Sequence, residues 1–194
     1  MAQSGLTFAA NPYEIERYQK VRRVAAEMMA TCGDVPVGQV LEAFSSEVGY
    51  ATPKVDVRGV VFRDDALLLV RERVDNNRWT LPGGWADVGD TPSRNAEREV
   101  FEESGYETQV IKVLAIYDRR RHGHVPANPY HIYKIFFLCR LIGGEAAVSA
   151  ETDGAAFFRE DEVPADLSLG RVTPAQVARM FQHHRHPEWP TDFD

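Results

Sequence analysis

The chain has 194 residues, 44% of them apolar and 26% charged, with 22 Lys and Arg against 29 Asp and Glu for a formal charge of −7. That profile fits one globular domain with an appendage, excludes collagen-like, disordered and fibrous chains, and argues against duplex DNA as a partner. Apolar runs such as 67–70 and 135–139 fall far short of the roughly 20 residues that span a bilayer, so no membrane association is expected.

From the N-terminus, the first fifteen residues carry neither a basic start nor an apolar stretch, and no secretory signal is expected. Ile15, Tyr18, Val21, Val24, Ala25, Met28 and Met29 recur at spacings of three and four, which predicts an amphipathic helix. Asn11-Pro12 suits its start and Cys32-Gly33-Asp34 its exit. A second, shorter helix is predicted over 36–48 through Val40, Leu41 and Phe44, with Gly49 and Pro53 closing it. The boundary between this helical part and the rest falls within 47–54.

From Lys54 the period changes to two. Residues 55–62 read as a strand, Asp64-Asp65 as a tight turn and 66–70 as the hairpin partner. Trp79-Thr80-Leu81 is a short extended piece before Pro82-Gly83-Gly84. Residues 92–104 read as a helix, with Pro92 in its first turn and Gly105 at the left-handed stop. Strands follow at 110–117, 131–141 and 155–158. The second of these is apolar on both faces near Ile135–Leu138 and predicts a central, covered position. A last helix covers 174–182, and His183-His184-Arg185-His186 reads as a surface tail. Cys32 and Cys139 lie far apart, both in expected core settings. They form no disulfide framework and fit a reducing, cytoplasmic compartment.

The chemistry concentrates on the helix over 92–104. Between Asp87 and Glu103 stand six acids and two bases. Glu99, Glu102 and Glu103 share one helical face, while Ala96 and Val100 form the neighbouring apolar stripe. Like charges at this spacing cost roughly 0.2–0.5 kcal/mol per pair, and the last turn of a helix disfavours anions. A hard divalent cation removes both penalties.

Residues 84–106 read GWADVGDTPSRNAEREVFEESGY and closely resemble the Nudix box. Gly84, Arg98, Glu99, Val100, Glu102, Glu103, Gly105 and Tyr106 stand at the required spacing. Asp90 departs from the pattern, which has Glu there, and the shorter side chain fits a helix-dipole or salt-bridge role beside Arg98 better than a metal contact. The stretches 55–61, 79–89 and 133–139, with the helical start, extend the resemblance to a bacterial Nudix subgroup with an N-terminal domain. That subgroup includes CDP-choline pyrophosphatases.

The resemblance implies an α/β fold: a Nudix α/β/α sandwich with a mixed sheet over 51–194, preceded by a small helical domain over 1–50. It implies a metal-dependent pyrophosphohydrolase that splits a nucleoside diphosphate linked to a moiety X, CDP-choline-like or ADP-ribose-like, into a nucleoside monophosphate and phospho-X. Mg²⁺, or Mn²⁺, is the implied cofactor, with Glu99, Glu103, Glu102 and the Gly83 carbonyl as its ligands. Arg98 is expected to orient Asp90 or Glu102. Family members take their general base from the box or from a loop beyond the sheet. Ser149–Asp153 resembles that loop, with Glu151 the first candidate and Asp153 the second.

Substrate contacts are less legible. Arg71 and Arg73 follow the hairpin strand and are candidates for phosphate oxygens. Arg119 belongs to the basic run 118–124, a candidate phosphate clamp or a solvated charge run. Tyr117, Trp79 and Trp85 are candidates to stack on a base. Two other readings remain at this point: a non-catalytic nucleotide sensor, which Asp90 favours, and an RNA-end hydrolase, which the arginine run favours. The apolar stripe of the first helix is wide for two short helices to cover, so a homodimer using residues 1–50 is expected.

Overall fold

The computed structural model describes residues 1–33 and 35–194, and the chain folds as two units. The first comprises Met1–Pro53 with Ala127–His131. Its helices are α1 (Ala2–Phe8), α2 (Pro12–Gly33) and α3 (Val37–Ser46). The sequence pattern missed α1, a seven-residue segment without apolar periodicity. Asn11 starts α2 as expected, its side-chain oxygen accepting from the Glu14 N–H at 3.0 Å. The helix ends at Gly33, and Asp34, read as part of the exit, lies outside the described residues.

The face that α2 buries takes in only part of the expected stripe, namely Tyr18, Ala25 and Met29, which are half-buried. Its closed core is Ala26 and Ala30 against Val40, with Met29, Leu41 and Phe44 around them. Small residues let the helices approach closely, and Gly5 leaves room for the Tyr18 ring in the same way, since a Cβ there would sit 2.4 Å from it. Ile15, Val21, Val24 and Met28 point outward. Cys32 is exposed, so the expectation that both cysteines sit in the core holds only for Cys139.

The second unit is built on a seven-stranded mixed sheet ordered β3-β2-β1-β5-β4-β7, with β6 paired to β2. The strands are β1 (Lys54–Arg63), β2 (Ala66–Glu72), β3 (Arg78–Thr80), β4 (Tyr106–Asp118), β5 (Ile132–Gly144), β6 (Thr152–Phe158) and β7 (Asp192–Phe193). β5 runs parallel to β1 and antiparallel to β4, in the covered position its two-sided apolar pattern predicts. Helix α4 (Pro92–Ser104) packs Ala96 and Val100 on Val57, Val61, Phe137 and Cys139. On the other face α5 (Pro174–Arg185) packs Val177, Met180 and Phe181 on Val60, Leu69, Leu114 and Phe136.

The run His183–His186 is not a surface tail. His183 is buried in the last turn of α5, with Nε2 at 3.1 Å from Asp192, and the His184 ring stacks on Phe62. The helix continues three residues past its expected end because these imidazoles find partners on β7 and β1. None of the described helices is long and apolar enough to cross a membrane.

Candidate active site

Helix α4 is fixed at both ends. The Thr91 hydroxyl accepts from Arg94 N–H, Pro92 occupies the first turn, and Gly105 closes the helix at φ 78°. Burial of Ala96 and Val100 then sets the rotation, which turns Glu99 and Glu103 toward the segment that precedes the helix. That segment lies along β1: Gly59 donates to Pro82 O at 2.9 Å, Val57 to Gly84 O at 2.8 Å and Ala86 to Val55 O at 2.9 Å. Gly83 sits at φ 140°, and a Cβ there would fall 2.0 Å from Val57 O. No other residue fits.

The two parts meet at the carboxylates. Gly83 N–H donates to Glu103 Oε2 at 2.8 Å. A Cβ on Gly84 would come within 2.7 Å of Glu99 Oε2, so Gly84 leaves that carboxylate its place. Burial pushes the Glu103 carboxyl up to about 8, aided by the charges of Glu72 and Glu99. Glu99 is raised too, by burial and then by Glu102 and Glu151, against the pull of Arg98 and Arg58.

Glu102, on the same helical face, is turned away. It is exposed and pairs with Arg98 at 3.1 Å. Arg98 also reaches Glu99 at 3.1 Å, Asp87 at 2.8 Å and Asn95 Oδ1 at 2.9 Å. Asp90 is not its partner; its Oδ1 accepts from Thr91 N–H at 2.8 Å. The shorter acid folds back on the helix start, and Asp87 takes the arginine instead. Among the described residues no three carboxylate, histidine or cysteine groups are gathered in advance around one point. The donor set still suits a hard cation: two carboxylates that burial pushes toward protonation, beside a glycine-lined backbone.

The loop before β6 is tied to α4, since Thr152 Oγ1 donates to Glu103 O at 2.6 Å. Glu151 is exposed on that loop, and its charge bears on Glu99. Asp153 is engaged by Arg71 at 2.6 Å, and Arg73 donates its backbone N–H to Glu151 O and its Nε to Thr152 O. Arg71 and Arg73 thus stand beside the Glu151 loop, with Arg71 also lying over Trp79.

Arg119 and Tyr117 lie apart from that cluster. Arg119 is buried and donates to Pro126 O and Gly170 O, unlike its exposed neighbours Arg120 and Arg121. The Tyr117 hydroxyl donates to Asp192 at 3.0 Å and its ring is covered by His122. Neither presents the open face expected of a phosphate clamp or a stacking platform. Trp85 remains half exposed.

Sequence reading missed the buried charges under the site. Asp56 accepts from Arg58 at 2.7 and 2.9 Å and from Lys134 at 2.6 Å, while Arg58 Nη1 donates to Leu81 O at 3.1 Å. Burial alone would raise Asp56, but Arg58 and Lys134 hold it well below the usual carboxylate range. Glu72, also buried, accepts from Arg171 at 2.7 Å. In sequence these read as outward positions of alternating strands. The parallel register that places Asp56 opposite Lys134 is the signal that would have paired them.

Known proteins resemble this chain over most of its length. The family model for the NUDIX domain matches residues 52–178, and one described as a UDP-X-like, N-terminal oligomerisation domain matches residues 1–44. A Bacillus subtilis (strain 168) protein named "Putative ADP-ribose pyrophosphatase YjhB" is 44% identical over 194 residues, covering 100% of this chain and 92% of its own. A crystal structure described as an ADP-ribose pyrophosphatase from Streptococcus suis 89-1591 is 40% identical, with a TM-score of 0.66 over 74% of this chain and 100% of that one. A crystal structure described as a UDP-X diphosphatase is 31% identical, with a TM-score of 0.67 over 100% of this chain and 92% of that one.

Proposed function

The chain belongs to the Nudix hydrolase family, and from that premise we propose that it is a divalent-metal-dependent pyrophosphohydrolase of nucleoside diphosphates linked to a moiety X. The observation that carries this reading is the seating of Glu99 and Glu103 against Gly83-Gly84. ADP-ribose-like and UDP-X-like substrates come first, from the names of the similar proteins, and CDP-choline-like ones from the subgroup resemblance. The products are a nucleoside monophosphate and phospho-X.

Glu99, Glu103 and the Gly83 carbonyl are assigned to hold Mg²⁺ or Mn²⁺, with Glu102 joining when it leaves Arg98. When bound, such a cation neutralises the diphosphate oxygens and so eases attack by water. Glu151 is assigned to take the proton of that water as its oxygen bonds to phosphorus and the bridging oxygen departs with the leaving phosphate. Arg98 is a positioning residue, keeping Glu99 and Glu102 aligned while Asp87 anchors it from the box loop. Arg71 and Arg73, beside the Glu151 loop, are assigned to meet phosphate oxygens.

A sensor role drew on Asp90 alone, and Asp87 occupies the partner position at Arg98. An RNA-end hydrolase drew on the arginine run, of which Arg119 is buried. Residues 1–50 are assigned to assembly as a homodimer and residues 51–194 to catalysis, in line with the description of the matching N-terminal model. The buried, free Cys139 fits a reducing cytoplasm.

The test is a panel of ADP-ribose, a UDP-sugar, CDP-choline and capped RNA, incubated with Mg²⁺ and resolved by chromatography. Release of a nucleoside monophosphate from one of the first three supports the reading. Hydrolysis of capped RNA alone, or of nothing, overturns it.

A further inference from the structure

The last carbonyls of a helix have no partner within it, and those of α4 find theirs in the chain between β5 and β6. Ala147 N–H donates to Ser104 O at 2.9 Å, and a Cβ on Gly105 would sit 2.4 Å from Glu145 O, so this stretch lies directly on the helix stop. Glu103 O takes the Thr152 hydroxyl at 2.6 Å. Thr152 is wholly buried at the first position of β6, where a valine would keep the same shape and the same strand preference. What threonine adds there is one hydroxyl.

The direction of each proton in this cluster follows from the groups present. A carbonyl oxygen only accepts, so the single Thr152 hydroxyl proton goes to Glu103 O. The Ser149 hydroxyl, 3.0 Å from Thr152 Oγ1, is then the donor of that pair. Ser149 Oγ in turn accepts the N–H of Glu151 at 3.1 Å and that of Thr152 at 3.0 Å. Just after β2, Arg73 N–H donates to Glu151 O at 2.9 Å. The Glu151 backbone is thus held at its N–H and at its carbonyl, while its side chain stays exposed. Glu103 is held in the same way, its carbonyl by Thr152 and its carboxylate by Gly83 N–H at 2.8 Å. Three bonds in series, Glu151 to Ser149, Ser149 to Thr152 and Thr152 to Glu103, join the two acids, and the charge of Glu151 reaches Glu99 one turn back on α4.

We propose that the Thr152 hydroxyl, acting through Ser149, is a positioning group that sets the place of Glu151 relative to Glu99 and Glu103. This rests on the assignment of Glu151 as the proton acceptor of the hydrolytic reaction. It explains how an exposed acid on a loop can serve there. Its backbone is fixed to the helix that carries the other carboxylates, so only its side chain has to be ordered around substrate. Thr152 itself touches no substrate and moves no proton, and its loss acts through Glu151.

Steady-state kinetics on a hydrolysed panel compound test it, in a double-mutant cycle of full-length Thr152→Val and Glu151→Gln. Thr152→Val is expected to lower kcat about 10- to 100-fold, the cost of a displaced reacting group, with KM and the Mg²⁺-induced rise in melting temperature unchanged. Thr152→Ser keeps the hydroxyl and is expected to restore most of kcat. In the Glu151→Gln background, Thr152→Val should change nothing further. An equal fold-loss in both backgrounds means that the hydroxyl acts on Glu103 or on the fold alone, and overturns the proposal. An unchanged kcat in Thr152→Val, or no rescue by serine, also overturns it. In these cases Glu151→Gln still loses turnover and the base assignment stands. Glu151→Gln at the wild-type rate removes that assignment and the positioning role with it.

Because Thr152→Val can lose its fold, Ser149→Ala at a half-buried position breaks the same series one bond earlier. It is expected to show the same kcat loss, absent in the Glu151→Gln background, and wild-type kcat there overturns the proposal. Amide hydrogen exchange gives a reading without turnover. The Glu151 N–H is expected to exchange several-fold faster in Thr152→Val than in wild type, and an equal rate defeats the positioning role. Faster exchange without hydrolysis of any panel compound defeats the enzymatic reading, while the link from Thr152 to Glu151 stands.

Discussion

The backbone N–H of Gly83 donates to Glu103 Oε2 at 2.8 Å, joining two residues that lie 20 apart in sequence. The contact locks the turn before the box to the last turn of its helix, so the acids cannot be placed without the glycines.

Glu103→Gln and Glu99→Gln are each expected to abolish most turnover. At 103 glutamine retains an oxygen that accepts from Gly83, and at 99 one that accepts from Arg98, so the fold should stay, with a melting temperature close to wild type. Loss of an outer-shell partner typically costs 10–100-fold, and loss of a direct ligand is expected to cost more than about 100-fold in kcat. Wild-type melting should also rise with added Mg²⁺, and the rise should shrink in both variants. Near-wild-type kcat at saturating Mg²⁺ in either one removes it from the ligand set.

The two glycines separate fold from function. Gly83→Ala forces a Cβ against Val57 O at φ 140°, and is expected to destabilise the protein by about 1–3 kcal/mol or more, read by urea denaturation. At Gly84 the nearest atom to an added Cβ is the mobile end of Glu99. Gly84→Ala should therefore keep its stability and lose activity as Glu99 is pushed aside. Equal stability losses in the two would contradict this division.

Glu151→Gln should lower kcat by roughly 10²–10⁴-fold, as removal of a general base does, while the Mg²⁺-induced rise in melting temperature persists. Asp153, tied to Arg71 at 2.6 Å, is the second candidate. If Asp153→Asn falls further than Glu151→Gln, the base moves to Asp153. If both keep the wild-type rate and pH profile, it moves into the box.

Much of this site was legible because its pattern is local. The extent of α4, from Pro92 to the Gly105 stop, follows from cap chemistry and a 3.6-residue period, and so does the face shared by Glu99 and Glu103. The box spacing carried the family. What stayed hidden depends on contacts between distant segments. Asp56, Arg58 and Lys134 occupy strand positions that look outward by alternation, and only the β1–β5 register buries them together. Arg119 sat in a run that reads as solvated, yet two backbone carbonyls draw it inside. On α2 the error was of another kind. Periodicity marks large apolar residues, whereas the packed face uses Ala26 and Ala30.

The C-terminal segment should make the protein acid-sensitive. Asp192 accepts from Arg179 at 2.5 and 2.8 Å, from the Tyr117 hydroxyl at 3.0 Å, and contacts His183 at 3.1 Å. The hydrogen bonds from Arg179, with those of His183 and Tyr117, hold its carboxyl below the usual range despite some burial. A depressed carboxylate contributes stability above its unfolded value near 3.8, and that contribution is lost as pH falls through the folded value. Melting temperatures between pH 6 and pH 2.5 should therefore fall more steeply for wild type than for Asp192→Asn, which starts lower at pH 6. Parallel curves would mean that Asp192 is not a source of the acid sensitivity.

The exposed side of α2 is expected to decide assembly. Val24 and Met28 are 54% and 66% exposed, one turn apart, with Val21 and Ile15 extending the stripe. None of these four belongs to the closed core of Ala26, Ala30 and Val40, so their hydrophobic character serves nothing inside the unit. Burying such side chains fully is worth about 1.5–3 kcal/mol each, enough for a few of them to hold two copies together at micromolar concentration. The full-length protein is expected to run as a dimer in light scattering. Val24→Glu combined with Met28→Glu is expected to give a monomer whose helical circular dichroism matches wild type, because no packed contact of α2 is removed. A monomeric wild type eliminates the dimer. A variant that remains dimeric moves the interface off this face of α2.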